Sequence, residues 1–408
     1  MPKRNDFFRY MRFFMMFVGI WRLSFPNFLV HRNMYVAYSA IYQMTCVSSG
    51  LLMALKVPLL FETNVPAAID TTARTMVVVI TTVKLAMCQS RDVLGLISQA
   101  LEEDYRISIQ EDPSVRRIYR WHSTYCNNLV KLLVGSFILL AFFTVGTVDA
   151  NILASLASGR QLNYTTEKLI AVHFWYPYDE SRHYAMAILE QHVRTILSCL
   201  TIGTVTAFIN FMIVALMLRL KLLQYYFKEF QAYSPDGFVA SARVGIDVGL
   251  KLVCQKHQEL IKSFENFNRH MKHIILLEYT LTSVMFAGQL VQLVAGERIM
   301  FNSAFIALTI SQLMIFAWNS NEIVVQSAAL ATALLESSWY EQPLEIQKEI
   351  SFMVMRCQKP LRLTIGAFGT MDIGAAISVR PVPLPQIQSF GLLNAIKLPQ
   401  PVCSLQER

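Results

Sequence analysis

The sequence predicts an all-α, polytopic membrane helix bundle with its amino terminus in the cytosol, and three observations predict it. Mostly apolar stretches recur along the 408 residues, and about 20 such residues span a bilayer as one helix. The segments between them alternate between rich and poor in lysine and arginine, and basic connections stay on the cytoplasmic side. The composition is 54% hydrophobic and 16% charged with a mean hydropathy of +0.39, which excludes an ordinary soluble enzyme.

Residues 1–33 read as a cytoplasmic interfacial segment. Lys3, Arg4, Arg9, Arg12, Arg22 and Arg32 stand there against Asp6, and 13–20 is apolar. Trp21-Arg22 is no small-residue cleavage site, so the segment is expected to be retained and to lie in the inner membrane interface. The transmembrane bundle then occupies 34–379, with spans at about 34–60, 72–90, 129–153, 195–218, 274–295, 303–322 and a short seventh at 363–379. Arg74 and Lys84 interrupt the second span and are expected to snorkel from near its two ends.

The connection at 61–72 holds Glu62 and Asp70 but no base, whereas the second connection carries Arg91, Arg106, Arg116, Arg117 and Arg120. The third is poor in bases and contains the glycosylation sequon Asn163-Tyr164-Thr165, on the side that charge already places outside. The net charge of +8 sits mostly in segments facing anionic lipid and implies no nucleic acid.

Helical patterning runs past the fourth span until Ser234-Pro235-Asp236-Gly237 supplies a turn. A helix over 195–232 would be roughly 55 Å long, so about 25 Å of it projects past a ~30 Å hydrocarbon core. The fifth helix mirrors it, with Leu250, Val253, Leu260, Ile261, Phe264 and Phe267 at helical spacing. Residues 321–335 extend the sixth helix inward, and Pro343 opens an amphipathic helix through Gln358. A cytosolic bundle with partly buried faces follows, and its remaining apolar surface calls for subunit contacts.

No Walker loop, GxSxG, HExxH, GxGxxG or paired-carboxylate pattern appears, so neither enzyme chemistry nor a cofactor is expected. The seven cysteines are scattered singly and read as free thiols. His270 and His273 share a helix face, and His173, His183 and His192 fall near Asp179 and Glu180, but both sets read as solvated groups rather than a metal site. Asp149 is expected at the outer interface. Asp372, inside the last apolar stretch, is a candidate for a pore or packing role.

The residues ahead of that stretch are Trp339-Tyr340, Lys348, Met353-Val354-Met355-Arg356-Cys357-Gln358-Lys359-Pro360-Leu361-Arg362-Leu363-Thr364 and Gly366-Ala367-Phe368. They closely resemble the carboxyl-terminal signature of insect odorant receptors. Met15-Met16-Phe17-Val18-Gly19-Ile20-Trp21 resembles the glycine-tryptophan motif that this family carries before its first span. The resemblance covers 1 to about 379. It implies a ligand-tuning, seven-helix subunit of an odorant-gated cation channel, a heterotetramer with the odorant co-receptor, in the plasma membrane of olfactory sensory neurons.

A departure begins at Arg380, where Arg380-Pro381-Val382-Pro383-Leu384-Pro385 cannot continue a helix. Residues 380–408 therefore read as an atypical proline-rich tail, expected from an alternative splice, a retained intron or a gene-model error, and a chain ending this way would supply no ordinary pore wall.

A volatile ligand needs an apolar cavity with a few polar groups. The family's pocket lies between the outer parts of its helices, which by resemblance nominates Thr75, Val79, Phe142, Phe143, Gly146, Cys199, Gly203, Phe305 and Gln312, with Phe174, Trp175 and Tyr176 as a roof. Three rivals make different demands. A G-protein-coupled-like receptor needs its amino terminus outside. A transporter needs an internal repeat or a broken helix. A gustatory-type chemoreceptor differs at the end of the last helix.

Overall fold

The structure of the chain, a computed structural model, describes residues 7–21, 29–157, 172–178, 182–230, 233–234, 237–238, 246–294, 296, 299–366 and 369–371. Its helices are α1 (Arg9–Val18), α2 (Leu29–Thr63), α3 (Val65–Cys88), α4 (Arg91–Ile109), α5 (Pro113–Ala157), α6 (Tyr184–Lys228), α7 (Ile246–Val294), α8 (Ile299–Leu335) and α9 (Leu344–Cys357). Six of them are long and apolar enough to cross a membrane: α2, α3, α5, α6, α7 and α8.

The helix ends follow local chemistry. Asn64 caps α3 by accepting the Ala67 N–H at 3.1 Å, and Pro66 sits in the first turn. Ser90 caps α4 through the Val93 N–H at 3.4 Å. Gly19 closes α1 in the left-handed region, at φ 83°. Beyond α6 the chain forms a two-residue hairpin, β1 (Tyr233–Ser234) against β2 (Gly237–Phe238), at the turn the sequence signals.

α6 is the axis. Every residue from Thr201 to Val214 is buried, which is how a helix that is apolar all round behaves. α5, α7 and α8 pack around it, with α1, α2 and α3 completing the wall. α4 lies in the basic second connection and buries Val93, Leu96, Ile97, Ala100 and Asp104, one helical face.

Three expectations change. The amino-terminal segment is not simply interfacial: Phe7, Phe8, Met11, Met15, Val18, Ile20 and Trp21 are buried in the core, and Phe8 meets Phe211 of α6 edge-on at 4.6 Å. Its other face, with Arg9, Phe13 and Phe17, stays exposed. Lys84 does not snorkel; it is fully buried and its Nζ lies 2.5 Å from Glu278 Oε2 on α7. Arg74 turns into the bundle wall and pairs with Asp70 at 2.8 Å.

At the seventh stretch, the described part of 363–371 is not helical. The Met371 N–H donates to Leu363 O at 2.8 Å beside a bridge between Thr364 and Thr370, and Asn268 Oδ1 holds the segment to α7 by accepting the Thr364 N–H. Asp372, Asn163 and the tail lie outside the described residues.

Candidate ligand site

Six helices converge on one outer cavity of ≈ 110 Å³. α3 contributes Asp70, Ala73, Arg74, Val77 and Val78, and α6 contributes Thr195, Ser198, Cys199 and Ile202. α5 adds Phe137, Leu140 and Thr144, α7 adds Met285 and Gln289, and α2 and α8 add Met53 and Phe305. A single water needs about 10–15 Å³ of such space, so the cavity has room for a small volatile molecule rather than for one trapped water.

Its roof is the end of the third connection. Val172 and Phe174 pack on Met53, and the Trp175 N–H donates to Leu52 O at 3.0 Å, stitching this segment to α2. Arg194 holds the arrangement from α6. Its guanidinium lies over the Phe174 ring at 6.0 Å, donates to Ser48 and Ser49 Oγ at 2.9 Å, and pairs with Glu190 at 2.6 Å. Arg194, near the outer end of α6, thus clamps the roof to α2.

Of the nine residues nominated from sequence, Cys199 and Phe305 line this cavity, as does Phe174 from the roof. The others lie elsewhere. Val79, Phe142 and Phe143 are 49%, 61% and 50% exposed on outward faces, and Gly146 is exposed one turn further along α5. Thr75 spends its hydroxyl on Thr71 O at 2.7 Å. Gly203 serves packing, since a Cβ there would lie 3.0 Å from Phe137. Gln312 lines a smaller space with Thr206, Asn210 and Glu278. Trp175 turns outward, and Tyr176 packs behind the roof and donates to Ala187 O at 3.2 Å.

Sequence reasoning missed Arg74, Asp70, Ser198 and Gln289. The i, i+4 spacing of Asp70 and Arg74 was a legible signal of a local pair; the aim of Gln289 was not.

Below the cavity a buried polar chain crosses the bundle. Lys84 meets Glu278, whose other oxygen accepts from Thr206 Oγ1 at 2.9 Å. Asn210 bonds back to Thr206 O at 3.1 Å, Asn319 Nδ2 donates to Asn210 Oδ1 at 3.0 Å, and Tyr125 OH donates to Asn319 Oδ1 at 2.8 Å. Helices α3, α7, α6, α8 and α5 are tied in that order. Among the described residues no group of three or more His, Cys, Asp or Glu side chains could hold a metal ion, and six cysteines are free thiols.

The family model described as 7tm Odorant receptor matches residues 64–379. The chain belongs to the odorant receptor family. It is 26% identical to Odorant receptor 10 of Aedes albopictus over 219 residues, 53% of this chain and 54% of that one. It is 29% identical to Odorant receptor 30a of Drosophila melanogaster over 147 residues, 35% of this chain and 36% of that one. The chain thus spans about half or less of the length of these curated relatives.

The fold of this odorant receptor chain is also that of the insect olfactory receptor OR5 from Machilis hrabei, with a TM-score of 0.72 at 14% identity, covering 95% of this chain and 97% of that one. The same receptor in complex with eugenol gives 0.73, covering 96% and 99%. Membership and the six spans make it a multi-pass membrane protein of a receptor family, not a member of an enzyme family.

Proposed function

We propose that the chain is a ligand-tuning odorant receptor subunit. A small volatile odorant enters the outer cavity and gates a cation channel that the chain forms as a heterotetramer with the odorant co-receptor, in the plasma membrane of olfactory sensory neurons. The observation that carries this reading is the cavity itself, because its wall is shared by six helices. An occupant there touches all six membrane-crossing helices at once, and a ligand shifts an equilibrium only through differential contact with the two states. The related OR5 receptor was solved in complex with eugenol, a molecule of the class this cavity suits. The charge asymmetry of the connections supports an amino terminus in the cytosol.

The test is voltage-clamp recording from cells that co-express the chain with an insect odorant co-receptor, challenged with a broad volatile panel. An odorant-evoked cation current, absent with co-receptor alone, is expected. Ser198→Phe, which fills the cavity from a small lining residue, should raise the half-maximal odorant concentration at least tenfold, while Phe142→Ala on the outward face should move it by less than about twofold. Silence at confirmed surface expression, or equal effects of the two substitutions, refutes the reading.

A further inference from the structure

Gln289 is out of character in the outer cavity. It lines the space, is 8% exposed, and its side-chain oxygen has no hydrogen-bond partner among the described residues. A buried amide oxygen left unpaired is costly, and a bound donor would restore the loss.

The backbone sets it level with a second polar group. A Cβ on Gly288 would lie 3.0 Å from Ala73 Cβ, so α3 and α7 cross in near-contact here. The residues that follow on the two helices, Arg74 and Gln289, both line the cavity. Arg74 gives its Nε–H to Asp70 Oδ2 at 2.8 Å, one of the five donors of a guanidinium. Asp70 also balances the Arg74 charge, so this wall offers no net charge to hold an anionic acid or an amine cation.

A guanidinium only donates, whereas a side-chain amide presents either its oxygen or its NH₂ on rotation about the last torsion. One ligand group satisfies both neighbours, a hydroxyl that accepts from the guanidinium and donates to the amide oxygen. We propose that Gln289, together with Arg74, makes this cavity selective for small neutral volatiles that carry a hydroxyl group, alcohols and phenols, over ethers and hydrocarbons of the same shape. Phe137, Phe174 and Phe305 suit the apolar remainder of such a ligand. The proposal rests on the reading of this cavity as the odorant site.

The test reads ligand-induced heat stabilisation of the purified full-length protein in detergent, with benzyl alcohol, benzyl methyl ether and ethylbenzene as probes. Benzyl alcohol should reach half-maximal effect at about tenfold lower concentration than ethylbenzene, the scale of one neutral hydrogen bond. In Gln289→Leu and Gln289→Met that gap should close to about twofold, with the ethylbenzene response retained. Equal responses of the wild-type protein to the three probes, no response to any, or a preference that survives both substitutions overturns the proposal. Should neither variant fold, the wild-type ranking alone decides. Binding in the expected order without a current beside the co-receptor would refute the channel reading and leave this one standing.

Discussion

The Lys84 side chain is fully buried, and its ion pair with Glu278 is what makes that burial tolerable. Removing one partner of such a pair strands the other charge, at about 3–5 kcal/mol, whereas replacing both by apolar groups of similar volume is often near neutral. Lys84→Met should therefore sharply reduce surface yield and heat stability, and Lys84→Met with Glu278→Met should recover most of both. A double variant as poor as the single one would show that the pair is needed for more than mutual neutralisation. The pairing was illegible in the sequence because the partners stand 194 residues apart; a lone lysine in an apolar run looks the same whether it snorkels or pairs. His257 makes the complementary case, in the part of α7 that precedes the membrane-crossing segment. Burial, helped by the Arg356 charge, depresses its pKa from 6.5 to about 4. The neutral imidazole is thus the native form, set 4.0 Å from Cys357 Sγ, whose thiol burial pushes up to about 12. The unfolded chain binds the extra proton between these two pH values, so the contribution is whole above pH 6.5 and is lost as pH falls toward 4, in all about 3 kcal/mol. Melting of the purified protein at pH 7.5 and 5.0 should show about 2 kcal/mol of this loss in wild type and a smaller one in His257→Leu; identical pH dependence in the two proteins would remove His257 as its source.

At the scale of elements, the existence of the long helices was legible and their rotation was not. Apolar length announces a span, but a lipid-facing face is as apolar as a protein-facing one, so Phe142 and Phe143 looked as eligible as Phe137 and Leu140. The cavity face of α5 runs Phe137, Leu140, Thr144, a spacing that the uniform hydrophobicity around it conceals. α4 was missed for the opposite reason: its apolar face at Val93, Leu96, Ile97 and Ala100 is regular, but it is embedded in a connection read only for charge. The glycine-tryptophan motif now has a physical account. Gly19 takes a φ of 83° that ends α1, its carbonyl accepts from Ser39 Oγ at 2.8 Å and Gln89 Nε2 at 3.1 Å, and Trp21 is buried beneath the Arg12 guanidinium at 5.3 Å. A Cβ at position 19 would lie 2.9 Å from Ser39 Oγ. Gly19→Val therefore combines backbone strain of about 1–2 kcal/mol with displacement of α2 from α1. A clear drop in melting temperature is expected, larger than that of Ala37→Val on α2, and equal drops would mean that the motif is not a conformational requirement.

For the molecule as a whole, α6 carries the outer cavity at one end and the cytosolic bundle at the other without a break, since Ser198 and Ile202 line the cavity while Tyr225 and Tyr226 donate to Asp112 and Gln110 near the start of α5. A rigid axis of this kind can transmit a change at the ligand only if something at its inner end responds, and among the described residues α9 leaves an apolar face uncovered in the cytosolic bundle. Ile346, Ile350, Met353 and Cys357 bury one face against α8 and its neighbours, while Leu344, Phe352 and Met355 are 66%, 69% and 54% exposed on the other. Large apolar side chains clustered on the outside of a cytosolic helix favour a protein partner, and in the proposed heteromer that partner is the co-receptor. Phe352→Glu with Met355→Glu changes residues that do not support the chain's own core, so total expression and the heat stability of the isolated chain should hold. Co-purification with the tagged co-receptor should fall severalfold, and the odorant-evoked current with it. Undiminished co-purification would exclude this face of α9 from the subunit contact.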